Sequence, residues 1–141
     1  MSKPLAIFLH SSRYDRVYQA ANLLLTASGM GRPCYLFLFY EALATFVDGS
    51  WSDVRLSTSS SDDAPSWAQK LQRGFETSDS PSPYEILEMA AAQPGGLKVC
   101  ACSTSTKLLG LEPRDVREKV DEIIGMAAML EIVADGEMMY I

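Results

Sequence analysis

The sequence is short of the features that would place it at a glance. Its 141 residues hold one histidine, His10, and three cysteines, Cys34, Cys100 and Cys102. An odd cysteine count with one close pair makes no disulfide framework and fits a reducing compartment, so the chain reads as cytoplasmic. There is no C-x-x-C, which removes the usual pair of thioredoxin-type exchange. Neither a Walker-type phosphate loop nor a G-x-G-x-x-G after the first apolar run is present, which disfavours nucleotide binding. One distant histidine beside a Cys-x-Cys pair is a poor zinc set, so neither a metal nor a cofactor is expected.

Basic clusters are missing as well. Twelve Lys and Arg stand against 18 Asp and Glu, a formal charge of −6. The electrostatic footprint of nucleic-acid binding is therefore absent, and anionic membranes are unexpected partners. The apolar run after Lys3 stops at His10, too short for a signal-peptide core. The longest apolar stretch, Cys34 to Val47, is broken by Glu41 and falls below the roughly 18 residues of a membrane span.

What is present is an ordinary globular composition, 48% apolar and 21% charged. At this length one domain, residues 1–141, buries about two thirds of its unfolded surface and needs no staples. "LAIFLH", Leu5 to His10, has the continuous apolar character of a strand covered on both faces. Ser12 and Asp15 resemble a helix-capping pair, and Val17, Ala20, Ala21, Leu24 and Ser28 recur at helical spacing up to a stop near Gly29 or Gly31. "PCYLFLFYEAL" follows as a second buried strand. Strand, helix, strand is the βαβ signature.

From about residue 49 to 82 the chain is rich in Ser and Asp, offers little to bury, and reads as a polar surface insertion. Trp67, Leu71 and Phe75 at steps of four predict a short amphipathic helix inside it. Ser82, Pro83 and Glu85 supply a capping serine, a proline at the first helical position and a glutamate that closes the box, with Ile86, Leu87, Ala90 and Ala91 facing inward. "LKVCAC" is the third strand. Pro113 then opens a longer helix whose buried stripe runs through Val116, Val120, Ile123, Ala127, Leu130 and Val133 to a stop at Gly136, and "EMMYI" is the last strand. The expected fold is α/β: an open, mostly parallel sheet of about four or five strands with helices on both faces, three layers in all.

In such sheets ligands and chemistry gather at the carboxyl edge of the strands. Cys102 ends a strand there, before the hydroxyl-rich Ser103, Thr104 and Ser105. Backbone N–H donors and the positive end of a helix dipole favour a thiolate over a thiol, and a thiolate is the form that attacks sulfur. The same position also suits an inert buried cysteine. Cys100 lies two residues back on the same face, which allows a resolving pair, but alternate strand positions have poor disulfide geometry and a small buried hydrophobe is the plainer role. His10 ends the first strand on the same edge. It is placed either to hydrogen-bond a thiolate or to serve as a packing or turn residue. Glu41 reaches that edge after the second strand, to line a pocket or to cap the turn. The methionines of the last third read as core or subunit-interface packing.

Taken together, "KVCACSTSTKLLGL" followed by "VDEIIGMAAMLE" resembles the DsrE/DsrF-like family, in which a strand ends in a cysteine followed by polar residues and a glycine-containing turn. "LAIFLHSSRYDRVYQAANLLLTASGMG" and "CYLFLFYEALATF" are similar to that family's first strand and helix and its second strand. The resemblance covers most of the chain outside residues 49–82. It implies a compact α/β domain assembling as a homo-oligomer, a trimer or hexamer, and in several members a sulfur relay that carries a persulfide on the matching cysteine. That residue is Cys102, with Ser103, Thr104 and Ser105 as its polar cradle. Sulfur donor and acceptor proteins or small persulfides are the implied partners. The alternative is a noncatalytic oligomeric domain of the same fold that binds a small ligand or serves as an adaptor.

Overall fold

The computed structural model describes residues 2–54 and 66–141; the middle of the proposed insertion, 55–65, lies outside them. Five strands form one sheet: β1 (Leu5–Leu9), β2 (Cys34–Leu38), β3 (Leu97–Cys102), β4 (Glu122–Ile124) and β5 (Glu137–Tyr140). Their order is β4-β3-β2-β1-β5 and every pairing is parallel. All five residues of β1 are buried, as a continuous apolar run requires when helices cover both faces.

Alternation along the strands divides the core in two. Leu5, Ile7, Leu9, Leu36, Leu38, Val99 and Ala101 face the larger cluster. Ala6, Phe8, Phe37, Cys100 and Cys102 face the smaller one, because successive side chains of a strand point to opposite faces. The larger cluster is roofed by α1 (Tyr14–Gly29), α2 (Tyr40–Asp48) and α4 (Pro83–Ala91). The predicted inward stripe of α1, Val17, Ala20, Ala21, Leu24 and Ser28, is buried throughout. Ser82 caps α4 as expected, its Oγ accepting the Glu85 N–H at 3.3 Å. Ile86, Leu87 and Ala90 face inward, whereas Ala91 is exposed.

The start of α1 differs from the expected Ser12–Asp15 pair. Arg13 occupies the cap position without a side-chain cap bond, and its guanidinium grips Asp15 at 2.6 and 2.8 Å. Partial burial alone would raise the Asp15 carboxyl; the Arg13 hydrogen bond and charge outweigh it and hold that carboxyl below its usual range.

The segment after residue 49 buries more than its composition promises. Trp51 is buried in the larger cluster, edge-on to Phe46 at 5.0 Å, with its indole N–H on Thr45 Oγ1 at 2.9 Å. The predicted short helix is α3 (Ser66–Thr77). Its Phe75 packs edge-on to Tyr14 at 4.8 Å and tilted on Tyr18 at 5.0 Å, while Trp67 faces outward. The inward residue of that turn is Ala68.

The long helix expected from Pro113 to Gly136 is three elements: α6 (Pro113–Arg117), β4 and α7 (Met126–Ile132). Val116, Val120 and Val133 are buried as the stripe required, but Ala127 and Leu130 are exposed. Apolar residues at three- and four-residue steps span a helix–strand–helix run as well as one helix. The run breaks after Arg117, where α6 ends, and Gly125, directly after the three residues that pair with β3, stands at the cap position of α7.

This break also explains the layers. The chain lays down β1 to β4 in one direction across the sheet and then returns to place β5 outside β1. Because parallel crossovers are right-handed, a reversal of direction moves the connecting helix to the other face. There α7 packs Met129, with Val133 beyond its end, onto Phe8, Phe37 and Cys100.

Candidate functional site

Cys102 ends β3 and begins α5 (Ser103–Leu108). Its Sγ takes the place of a capping oxygen and accepts the Ser105 N–H at 3.4 Å, while its carbonyl accepts the Thr106 hydroxyl at 2.9 Å. The thiol is anchored on both sides of its Cα, which fixes where Sγ points.

Beside it ends β4, Cys102 standing opposite Ile124 in the register. The two strands send their connections to opposite faces: the link from β3 to β4 buries Val116 and Val120 in the larger cluster, and the link from β4 to β5 buries Met129 and Val133 in the smaller one. Adjacent parallel strands whose connections diverge in this way mark the place where α/β proteins commonly bind ligands. Gly125, after β4, lies beside the start of α5: a Cβ there would meet Ser103 Oγ at 3.7 Å. A glycine inside the supposed helical stripe was the available signal for this neighbour.

At this edge the sequence-derived residues separate. Ser103 and Thr104 are exposed. Ser105 is fully buried, and its Oγ has no hydrogen-bond partner among the described residues. Cys102 is only 3% exposed, far less than a freely accessible thiol. Cys100 shares its cluster, and burial, assisted by the nearby Glu122 and Asp121 charges, pushes that thiol up to about 11. Cys34 begins β2 at the opposite edge, where burial raises it too. All three cysteines are free.

His10 and Glu41 belong to a second group, at the ends of β1 and of β2, the strand next to β3. The His10 ring lies flat on Phe39 at 4.9 Å, 11° from parallel, and its side chain makes no hydrogen bond among the described residues. The structure does not join it to Cys102 by a hydrogen bond; Phe39, a member of the same cluster as Cys102, is its contact. Glu41 sits in the first turn of α2 and accepts the Ser12 hydroxyl at 2.5 Å, clasping the loop after β1 to the helix after β2. Between them Tyr40 has φ +45°, a left-handed conformation uncommon for a bulky side chain. Such strain persists only where its surroundings impose it. Here the Ala42 N–H on His10 O and the Phe39 N–H on Leu9 O tie both sides of the turn to β1.

These features define an all-parallel α/β protein with a thiol at the carboxyl edge of its sheet. No family model matches the chain, and no curated protein matches it. Among solved structures it is similar to MTH1491 of Methanobacterium thermoautotrophicum, a protein of unknown function, with a TM-score of 0.57 and 11% identity over 99% of this chain and 100% of that one. At that identity the likeness shows the fold alone. No described helix is long and apolar enough to cross a membrane.

Proposed function

We propose that the protein is a cytoplasmic sulfur-relay carrier of the DsrE/DsrF-like kind, holding sulfur as a persulfide on Cys102. The observation that carries the reading is the Ser105 N–H directed at Cys102 Sγ where β3 ends at the carboxyl edge of the sheet. That N–H fixes the position of Sγ, the atom that attacks in sulfur exchange. In the transfer, the Cys102 thiolate attacks the terminal sulfur of a donor persulfide. The donor's S–S bond breaks, its thiolate leaves, and Cys102 keeps the sulfur as a persulfide until an acceptor thiolate removes it by the same exchange. Donor and acceptor are proteins or small persulfides.

Work as a homo-oligomer, a trimer or hexamer, is part of this proposal. Its support is the thin cover of the smaller cluster: Leu130 and Ile132 on α7, with Met138 and Tyr140 on the edge strand β5, leave apolar surface in water.

A second reading has its own observation. With Cys102 at 3% exposure, a noncatalytic domain that binds a small ligand at the same edge needs no movement of α5, whereas sulfur transfer needs Sγ uncovered. Intact mass after brief treatment with a persulfide donor at neutral pH separates the two. The relay requires a gain of one sulfur, about 32 mass units, lost in Cys102→Ala and kept in Cys100→Ala. No gain, or an equal gain in Cys102→Ala, rejects it in favour of the binding domain.

A further inference from the structure

On the sheet face opposite Cys102 a groove of about 460 Å³ opens beside β3. Its apolar lining is Phe46, Leu87, Leu97 and Val99. Its volume is that of a small-molecule site. The Tyr84 hydroxyl, which also lines it, donates to Phe46 O at 2.8 Å and so pins the end of α2 to α4 as one wall.

The charged groups lining it are Glu88, Glu118, Lys119 and Asp121, three carboxylates against one ammonium. Glu88 and Glu118 have no ion pair among the described residues. Asp121 is held in place, its Oδ2 accepting the Val99 N–H at 2.7 Å while Oδ1 has no partner among the described residues. A fixed carboxylate at the edge of an apolar trough costs an incoming cation no reorganisation of that group.

We propose that this groove binds a small organic cation, an amine with a flat or branched apolar body, the body lying on Leu87 and Val99 and the ammonium meeting Asp121 and Glu118. An apolar ligand bearing a carboxylate would meet three like charges and one opposite, so the groove discriminates by sign. The site is independent of the chemistry at Cys102, because Val99 and Ala101 point to one face and Cys100 and Cys102 to the other.

Naphthylethylamine is the probe and naphthylacetate, the same ring with the opposite charge, its counter-probe. Titrated into the methyl-labelled chain at low salt, the amine should shift the Leu87, Leu97 and Val99 methyl resonances saturably. Added salt should weaken the effect. Glu118→Gln and Asp121→Asn should each lower affinity about two- to fivefold, the scale of a partly exposed ion pair. Ala91→Trp, on an exposed residue that lines the groove, should abolish the shifts with the fold intact. Absence of saturable shifts at these methyls, equal binding of naphthylacetate, or undiminished binding by Ala91→Trp overturns the proposal.

Discussion

Asp121 holds Val99 by two hydrogen bonds at once: its carboxylate accepts the Val99 N–H at 2.7 Å, and its own N–H donates to Val99 O at 2.8 Å. The side chain stands in for a strand one residue before β4 begins. Without it, the Val99 N–H has no backbone partner on that side.

Asp121→Ala is therefore expected to cost about 1–3 kcal/mol, the penalty of a partly buried donor left unpaired. Glu118→Ala, three residues earlier and without such a bond, should stay within about 0.5 kcal/mol of wild type. Urea unfolding of the two variants side by side checks this; equal losses would remove the clamp from the account.

Two glycines differ for a reason visible in the backbone. A Cβ on Gly95 would lie 1.9 Å from Arg32 O, whereas one on Gly74, inside α3, meets nothing within 4 Å. Gly95→Ala should lose about 2–4 kcal/mol, since the clash is with main chain. Gly74→Ala should gain about 0.5–1 kcal/mol from helix propensity. Thermal unfolding ought to move in opposite directions for the pair.

Cys100 makes stability sensitive to alkali. Burial raises its thiol from 9.0 to about 11, so the unfolded chain loses that proton first. The stabilisation is fully present below about pH 9 and is lost as the pH rises through about 11. Its size is on the order of 2 kcal/mol. Wild type and Cys100→Ala unfolded across that range should converge as the pH rises; parallel curves would contradict the assignment.

Two neighbouring hydroxyls on α5 should answer oppositely to removal. Ser105→Ala takes away an oxygen with no partner among the described residues, and is expected to be neutral or to stabilise by up to about 1 kcal/mol. Thr106→Val removes the bond to Cys102 O and should cost about 0.5–1.5 kcal/mol. If the relay reading holds, Thr106→Val should also slow sulfur loading, read by the same mass assay.

Where residue pattern and backbone demand coincide, the sequence was readable. The continuous apolar runs of β1 and β2 can be accommodated only between two covered faces, and the capping serine of α4 announces itself by proline and glutamate at fixed offsets. β4 was hidden because three residues are too few to show a period, and the buried valines around it continue a helical rhythm by coincidence. Trp51 was hidden by its polar neighbours, since burial of one large ring needs no local pattern. At the candidate site, Cys102 stood where expected, but its low exposure depends on elements distant in sequence, and so does the contact of His10 with Phe39. The register of a parallel sheet is a tertiary quantity that no local stretch records.

The placement of β5 beside β1 has a bearing on how the chain folds. One of the two edges of β1, Leu5 to Leu9, is completed only by Glu137 to Tyr140, with β2, β3 and β4 all lying between them in sequence. That pairing must close the largest loop available, so it is the slowest contact to form and the natural last step of folding. Until then β1 carries an unpaired apolar edge, the kind on which chains aggregate. During synthesis that edge stays unpaired until β5 has been made, which makes β1 the segment most in need of protection at birth.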